Sequence, residues 1–166
     1  SLNNLITLTG LVIDNNKIRE ISPLSQLNEL TFLWLDNNEI TNLGALHNLR
    51  KLTELRLFQN KITDLTPLTN LKNLTELHLY NNQISEIESI SNLHKLEKLN
   101  MFNNQISDLR PLSDLTRLEN LNLFNNQIGP DGAKAIAALC VVSASLTSLS
   151  LSDNKLGDND VNEALT

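Results

Sequence analysis

His78 stands between Glu76 and Tyr80 in the run Glu76-Leu77-His78-Leu79-Tyr80, and Glu54-Leu55-Arg56 occupies the equivalent place 22 residues earlier. In an extended segment successive side chains alternate, so the carboxylate, imidazole and phenol share one face. On paper such a group moves protons or holds a metal. That chemistry needs a closed, water-excluding pocket to shift a pKa, and an outward strand face supplies none, so His78 is expected as a contact residue. His47 and His94 occupy polar positions of turn segments and are expected at the solvated surface. Cys140 ends an apolar stretch without a neighbouring histidine to activate it, and is expected as a small buried hydrophobe. One cysteine allows neither a disulfide framework nor Cys-His metal spacing. No catalytic residue, no metal ligand and no cofactor are therefore expected.

The composition of the 166 residues narrows the classes further. Net charge is −6, with no Lys/Arg cluster, which argues against nucleic acid and against anionic membrane surfaces. No apolar run is long enough to insert into a bilayer, and Ser1-Leu2-Asn3-Asn4 lacks the basic and apolar regions of a signal peptide. A single thiol tolerates reducing conditions. That tilts the expected setting toward the cytoplasm and leaves a bacterial-surface or secreted one open. Leucine occurs 36 times and asparagine 25 times, against six aromatic residues in all. A core of this size normally draws on several buried aromatic rings, so here it must come from leucine and isoleucine.

The elements that position these residues follow from a repeat. The pattern Leu-x-x-Leu-x-Leu-x-x-Asn-x-Ile, with other apolar residues admitted, starts at Leu8, Leu30, Leu52, Leu74, Leu96 and Leu118, and again at Leu146 after a longer unit of 28. All seven asparagine slots are filled, by Asn16, Asn38, Asn60, Asn82, Asn104, Asn126 and Asn154. In Leu55-Arg56-Leu57 the period is two, with leucines inward and arginine outward. One such strand per unit, always in the same direction, builds a parallel sheet with about 4.8 Å per strand. Between strands, as in Ile62 to Leu71, apolar residues recur every third position, the period of short 3₁₀ turns. Pro23, Pro67 and Pro111 share one turn slot, filled by Ala45 and Ser89 in other units. Each slot asparagine is expected to satisfy backbone groups in the turn leaving its strand.

On these motifs the chain resembles the leucine-rich-repeat family, and its 22-residue units with their Asn-Asn-Gln-Ile-Ser and Pro-Leu-x-x-Leu phrasing resemble the internalin and phosphatase-regulator type. The resemblance implies a right-handed α/β solenoid, a parallel concave β-sheet with 3₁₀ or irregular turns on the convex side. After Ile128 the phrasing changes: Gly129-Pro130-Asp131-Gly132 reads as a turn and Ala133–Cys140 as a helix, resembling a ribonuclease-inhibitor unit. A single solenoid over 1–166 is expected, with 22-residue repeats over 1–128 and a 28-residue type over 129–166. Leu156-Gly157-Asp158 through Leu165 repeats the helix start, and Leu2, Leu5 and Leu8 match the tail of a preceding unit. A fragment of a longer array, or an engineered hybrid of two repeat types, is expected.

The outward positions form three columns. All six aromatics fall there: Phe32 in the first, Trp34 in the second, and Phe58, Tyr80, Phe102 and Phe124 in the third, on four adjacent strands. An exposed apolar stripe about 15 Å long at the strand spacing marks a contact site, with Asp36, Glu54, Arg56, Glu76, His78 and Lys98 as a mixed polar rim. The expected function is non-catalytic binding of a protein partner by a monomeric scaffold, through Phe32, Trp34, Arg56, Phe58, His78, Tyr80, Phe102 and Phe124. Resemblance to internalins implies an adhesion-like role, and resemblance to phosphatase regulators a cytoplasmic scaffold. Three alternatives stand beside it. The rings are duplicates of one ancestral residue that stabilise the sheet. The amide column Asn15, Asn37, Gln59, Asn81, Asn103, Asn125 and Asp153 is a carbohydrate site, or simply turn-compatible residues. Or the chain is a designed or trimmed scaffold without a natural ligand. Asn73-Leu74-Thr75 matches a glycosylation sequon, a weak signal among so many asparagines.

Overall fold

The computed structural model describes residues 4–157. Seven three-residue strands, β1 (Gly10–Val12), β2 (Phe32–Trp34), β3 (Glu54–Arg56), β4 (Glu76–His78), β5 (Lys98–Asn100), β6 (Asn120–Asn122) and β7 (Ser148–Ser150), form one parallel sheet in sequence order. The register advances by one repeat, Leu33 beside Leu55 beside Leu77 beside Leu99. Each strand is held by this pairing and by the leucines it sends inward. Leu55, Leu57, Leu77 and Leu79 are fully buried, each worth about 1.5–3 kcal/mol on removal from water.

The return path is a 3₁₀ turn in five consecutive units: Ser22–Leu24, Gly44–Leu46, Thr66–Leu68, Glu88–Ile90 and Arg110–Leu112. Proline opens three of them, where its fixed φ suits the turn and its missing donor is not needed. In Gly44–Leu46, which lacks proline, and alongside proline in Thr66–Leu68, a side chain two residues upstream sets the entry: Asn42 Oδ1 accepts from Gly44 N at 2.7 Å and Asp64 Oδ1 from Thr66 N at 2.8 Å. Leu24, Leu46, Leu68, Ile90 and Leu112 enter the same continuous core as the strand leucines. The expected architecture, a parallel sheet backed by short turns and by helix near the C-terminus, is the one found.

The helix α1 spans Pro130–Val142 and so begins inside the segment read from sequence as a turn. Proline at the first helical position needs no donor, and Asp131 in the first turn complements the helix dipole. Gly132 is required by close approach: a Cβ there would lie 2.5 Å from Ile128 Cγ2 and 3.1 Å from Ser107 O. Ala133, Ile136 and Leu139 face the core. Cys140 is exposed, contrary to the expectation of a buried thiol. The helix packs on the turn Arg110–Leu112, and Val141 and Val142 at its end are exposed as well. The second helix start anticipated from Asp158 through Leu165, and Leu2 of the incomplete unit at the other end, lie outside the described residues. No helix among the described residues is long and apolar enough to cross a membrane.

A candidate binding face on the sheet

The side chains that alternate with the buried leucines stand on the open face of the sheet in register. One row runs Trp34, Arg56, His78, Asn100, Asn122, Ser150. The ladder continues past the strands, with Asn37 N bonded to Phe58 O at 2.9 Å, Gln59 N to Tyr80 O at 2.9 Å and Asn81 N to Phe102 O at 3.0 Å. This holds the third column at strand spacing. Three of its rings stack face to face, Phe58 on Tyr80 with centroids 4.2 Å apart and planes at 10°, Tyr80 on Phe102 at 4.4 Å and 11°. Phe124 follows on the next strand, half-buried, with no ring stacked on it among the described residues. Burial raises the Tyr80 hydroxyl pKa, the nearby Asp36 carboxyl adding to it.

At the β2 end the face is a second aromatic group. Arg56 lays its guanidinium 3.8 Å from the centroid of Trp34, while its Nε donates to Glu54 Oε1 at 2.8 Å. Phe32 meets Trp34 at 6.0 Å in a tilted arrangement, and its ring lies over Gly10, where a Cβ would come within 2.0 Å of the ring. Glycine in that slot is what lets the far end of the ring approach β1 so closely. Further along, Glu76 accepts from His78 Nε2 at 3.0 Å and from Lys98 Nζ at 3.2 Å. Partial burial pushes the Glu76 pKa up, but these two partners outweigh it and the net shift is downward. No group of three His, Cys, Asp or Glu residues converges among the described residues in a way that would hold a metal ion.

Asp36 is the residue sequence reasoning misplaced. Read as rim, it is buried, 4% exposed, and its Oδ1 has no hydrogen-bond partner; the indole Nε1 of Trp34 is likewise buried and unpartnered. Burial raises its pKa to about 7 against the opposing pull of Arg56 and the Phe58 backbone N–H, with Asp14 and Glu54 adding to the rise. The signal lay in the register. Asp36 occupies the slot that Phe58 fills on the next strand, so a carboxylate stands in a column otherwise filled by rings.

The slot asparagines face the other way. Asn60 Nδ2 donates to Leu35 O at 3.0 Å, Leu57 O at 3.1 Å and Phe58 O at 3.3 Å, and its Oδ1 accepts from Ile40 N at 2.9 Å. Asn38, Asn82, Asn104 and Asn126 repeat both halves of this bonding, and Asn154 extends it to Ile128 N and Leu151 O. Asn16 is exposed, and among the described residues its side chain bonds only Ile13 O and Asp14 O.

The neighbouring amide column has another character. Asn15, Asn37, Gln59, Asn81, Asn103, Asn125 and Asp153 all have positive φ, between 49° and 56°, the left-handed conformation that asparagine and aspartate tolerate. Their amides bond one another, Asn37 to Asn15 at 2.8 Å, Asn103 to Asn81 at 2.6 Å and Asn125 to Asn103 at 2.8 Å, so several of the groups a sugar would need there are occupied. His47 and His94 are exposed in the turns. Asn73 of the sequon donates to Arg50 O at 2.9 Å and accepts from Lys95 Nζ at 2.8 Å.

Comparison with known proteins adds the following. The family pattern described as leucine-rich repeats, in two copies, matches residues 6–50, 50–93 and 94–133, and a single leucine-rich-repeat pattern matches 142–161. An internalin of Listeria monocytogenes is 38% identical with a TM-score of 0.88 over 99% of this chain, which spans about half, 47%, of that protein. Internalin C2 of the same species is 32% identical with a TM-score of 0.73, over 100% of this chain and 80% of its own. The leucine-rich-repeat ectodomain of a plant membrane receptor kinase from Arabidopsis thaliana, solved in complex with Casparian strip integrity factor 2, is 25% identical with a TM-score of 0.77 over 98% of this chain and 20% of its own. No curated protein sequence matches the chain.

Proposed function

This chain belongs to the leucine-rich-repeat family, and on that premise we propose that it is a non-catalytic recognition module which holds a protein partner on the open face of its sheet. The observation that carries this reading is the stack of Phe58, Tyr80 and Phe102, three rings fixed at 4.2 and 4.4 Å with one edge toward solvent. Phe32, Trp34 and Arg56 form a second anchor on the same face, His78 lies between the two, and Phe124 continues the column one strand beyond the stack. Aromatic and arginine side chains held in place before binding lose little entropy when a partner arrives, so more of the contact energy appears as affinity. The plant receptor ectodomain of similar fold, solved with a bound partner, supports recognition as the use of such a scaffold. On this reading the chain acts as a monomer and needs no cofactor.

The test is the double variant Tyr80→Ser, Phe102→Ser, used beside the wild type as bait in affinity capture from cells of the source organism and its hosts. The expected result is loss of a captured protein while the variant stays folded, its stability lower by about 1–3 kcal/mol for two lost ring contacts. A variant that loses that stability yet captures the same protein equally well would return the rings to a purely structural role.

A further inference from the structure

We propose that Asp36 works a proton-driven switch on Arg56: while its carboxyl is protonated the guanidinium stays on the Trp34 ring and Glu54, and when the carboxyl ionises the guanidinium turns to it and the second aromatic anchor comes apart. The switch regulates the binding face described above, and in that consequence alone it rests on the recognition reading.

The two side chains are neighbours with bonding capacity left over. Asp36 lies two residues beyond Trp34, the register partner of Arg56, so the two backbones stand about 8 Å apart diagonally across the sheet at its strand spacing and rise. Asp36 is enclosed, and its Oδ1 accepts from nothing. Among the described residues Arg56 is hydrogen-bonded only through Nε, to Glu54 at 2.8 Å, and its two terminal nitrogens donate to no other group. A buried acceptor without a donor therefore lies beside a cation with donors to spare.

The observed arrangement is that of a neutral carboxyl. An enclosed carboxylate costs far more than a carboxylic acid unless donors satisfy it. Accordingly burial raises the Asp36 pKa to about 7, with Arg56 and the Phe58 N–H opposing the rise and Asp14 and Glu54 adding to it. A neutral Asp36 has little hold on a cation, so Arg56 keeps the ring and Glu54. Once ionised, Asp36 offers the terminal N–H groups a charge-assisted pair away from water, and a guanidinium that turns to it leaves the Trp34 face. One proton thus selects between two positions of one side chain.

The other polar groups around the pair come from both sides. Asp14 follows β1, and Glu54 stands on β3. From the β4 side the Tyr80 hydroxyl feels Asp36 and Arg56 in opposite directions, and His78, the register partner of Arg56, is bonded to Glu76. Histidine is the residue type that also titrates close to neutrality, so His78 requires a control.

The test follows the whole chain by NMR from about pH 5 to about pH 8 without any partner, so it can fail while partner capture succeeds, and the reverse. In the wild type, nuclear Overhauser contacts between Arg56 side-chain protons and the Trp34 ring are expected at the acid end. They should fall about tenfold across the range, as the protonated fraction does, with the midpoint of the Asp36 carboxyl ¹³C signal near 7. Asp36→Asn should keep the contacts throughout, and His78→Gln should lose them as the wild type does. The proposal is overturned if the wild-type contacts are absent at the acid end, if they persist through the carboxyl titration, if that carboxyl is already ionised at the acid end, if Asp36→Asn loses the contacts with pH as well, or if His78→Gln abolishes the change.

Discussion

The guanidinium of Arg56 lies 3.8 Å from the centroid of the Trp34 ring, and the two residues are direct register partners on β3 and β2. Glu54 Oε1 accepts from the Nε of the same guanidinium at 2.8 Å. A flat delocalised cation can stack on an indole and bond a carboxylate at once, whereas an ammonium cannot reproduce that geometry. Trp34 is the chain's one tryptophan, so the protein's tryptophan fluorescence reports the surroundings of this ring. Arg56→Lys should shift the emission to longer wavelength and lower stability by about 0.5–1 kcal/mol. An unchanged spectrum would show that the stacking does not persist in solution.

Asp36 makes stability depend on pH. Its folded pKa is raised from 3.8 to about 7, so the fold binds a proton that the unfolded chain gives up. The stability it contributes is complete below about pH 4, declines as pH rises toward about 7, and is gone above that. Asp36→Asn lacks this dependence and can still accept from the Phe58 N–H. Denaturation of the two proteins in parallel should find the variant's advantage growing by about 2 kcal/mol from near pH 5 to neutrality, then levelling. A constant difference across that range would mean Asp36 ionises normally in the fold.

Asn60 and Asn16 occupy the same slot in the repeat and should differ sharply in cost. Asn60, 8% exposed, serves one backbone N–H and three carbonyls; Asn16 is exposed and serves two carbonyls of its own turn. Replacing Asn60 by leucine strands those buried groups and should cost about 2–4 kcal/mol in urea unfolding, against less than about 1 kcal/mol for Asn16→Leu. Equal costs would remove the backbone-satisfying role.

Gln59 interrupts the exposed amide column. It holds a φ of 54° without the short side chain that makes asparagine tolerant of that conformation. Gln59→Asn relieves the backbone and places an amide between Asn37 and Asn81, which flank it in the column. A gain of about 0.5–1 kcal/mol in thermal unfolding is expected. No gain would indicate that the turn geometry is set by the sheet regardless of residue type.

Much of the molecule was legible in the residues because a repeat makes each inference seven times over. The inward leucines, the 3₁₀ turns opened by proline and the outward placement of Phe58, Tyr80 and Phe102 follow from period and spacing. Helix α1 was found as well, though it starts earlier than the punctuation at Gly129 suggested, since proline and aspartate suit a first helical turn as readily as a loop. Cys140 was misread because its apolar neighbours say nothing about how far the packed surface beneath the helix extends.

Alternation along a strand decides which side of the sheet a residue occupies, and that is a local property the chain carries in its order of residues. It determined the solenoid, the core and the columns. How deeply an outward residue is buried, and whether its polar atoms find partners, depends on side chains 22 residues away whose rotamers settle only when the strands are stacked. Tertiary structure alone therefore decided that Asp36 is enclosed and its pKa raised, that Asn37 bonds Asn15, and that Asn100 Oδ1 is buried without a donor. Desolvation and hydrogen bonding are properties of neighbours in space, and the repeat brings those neighbours together without naming them.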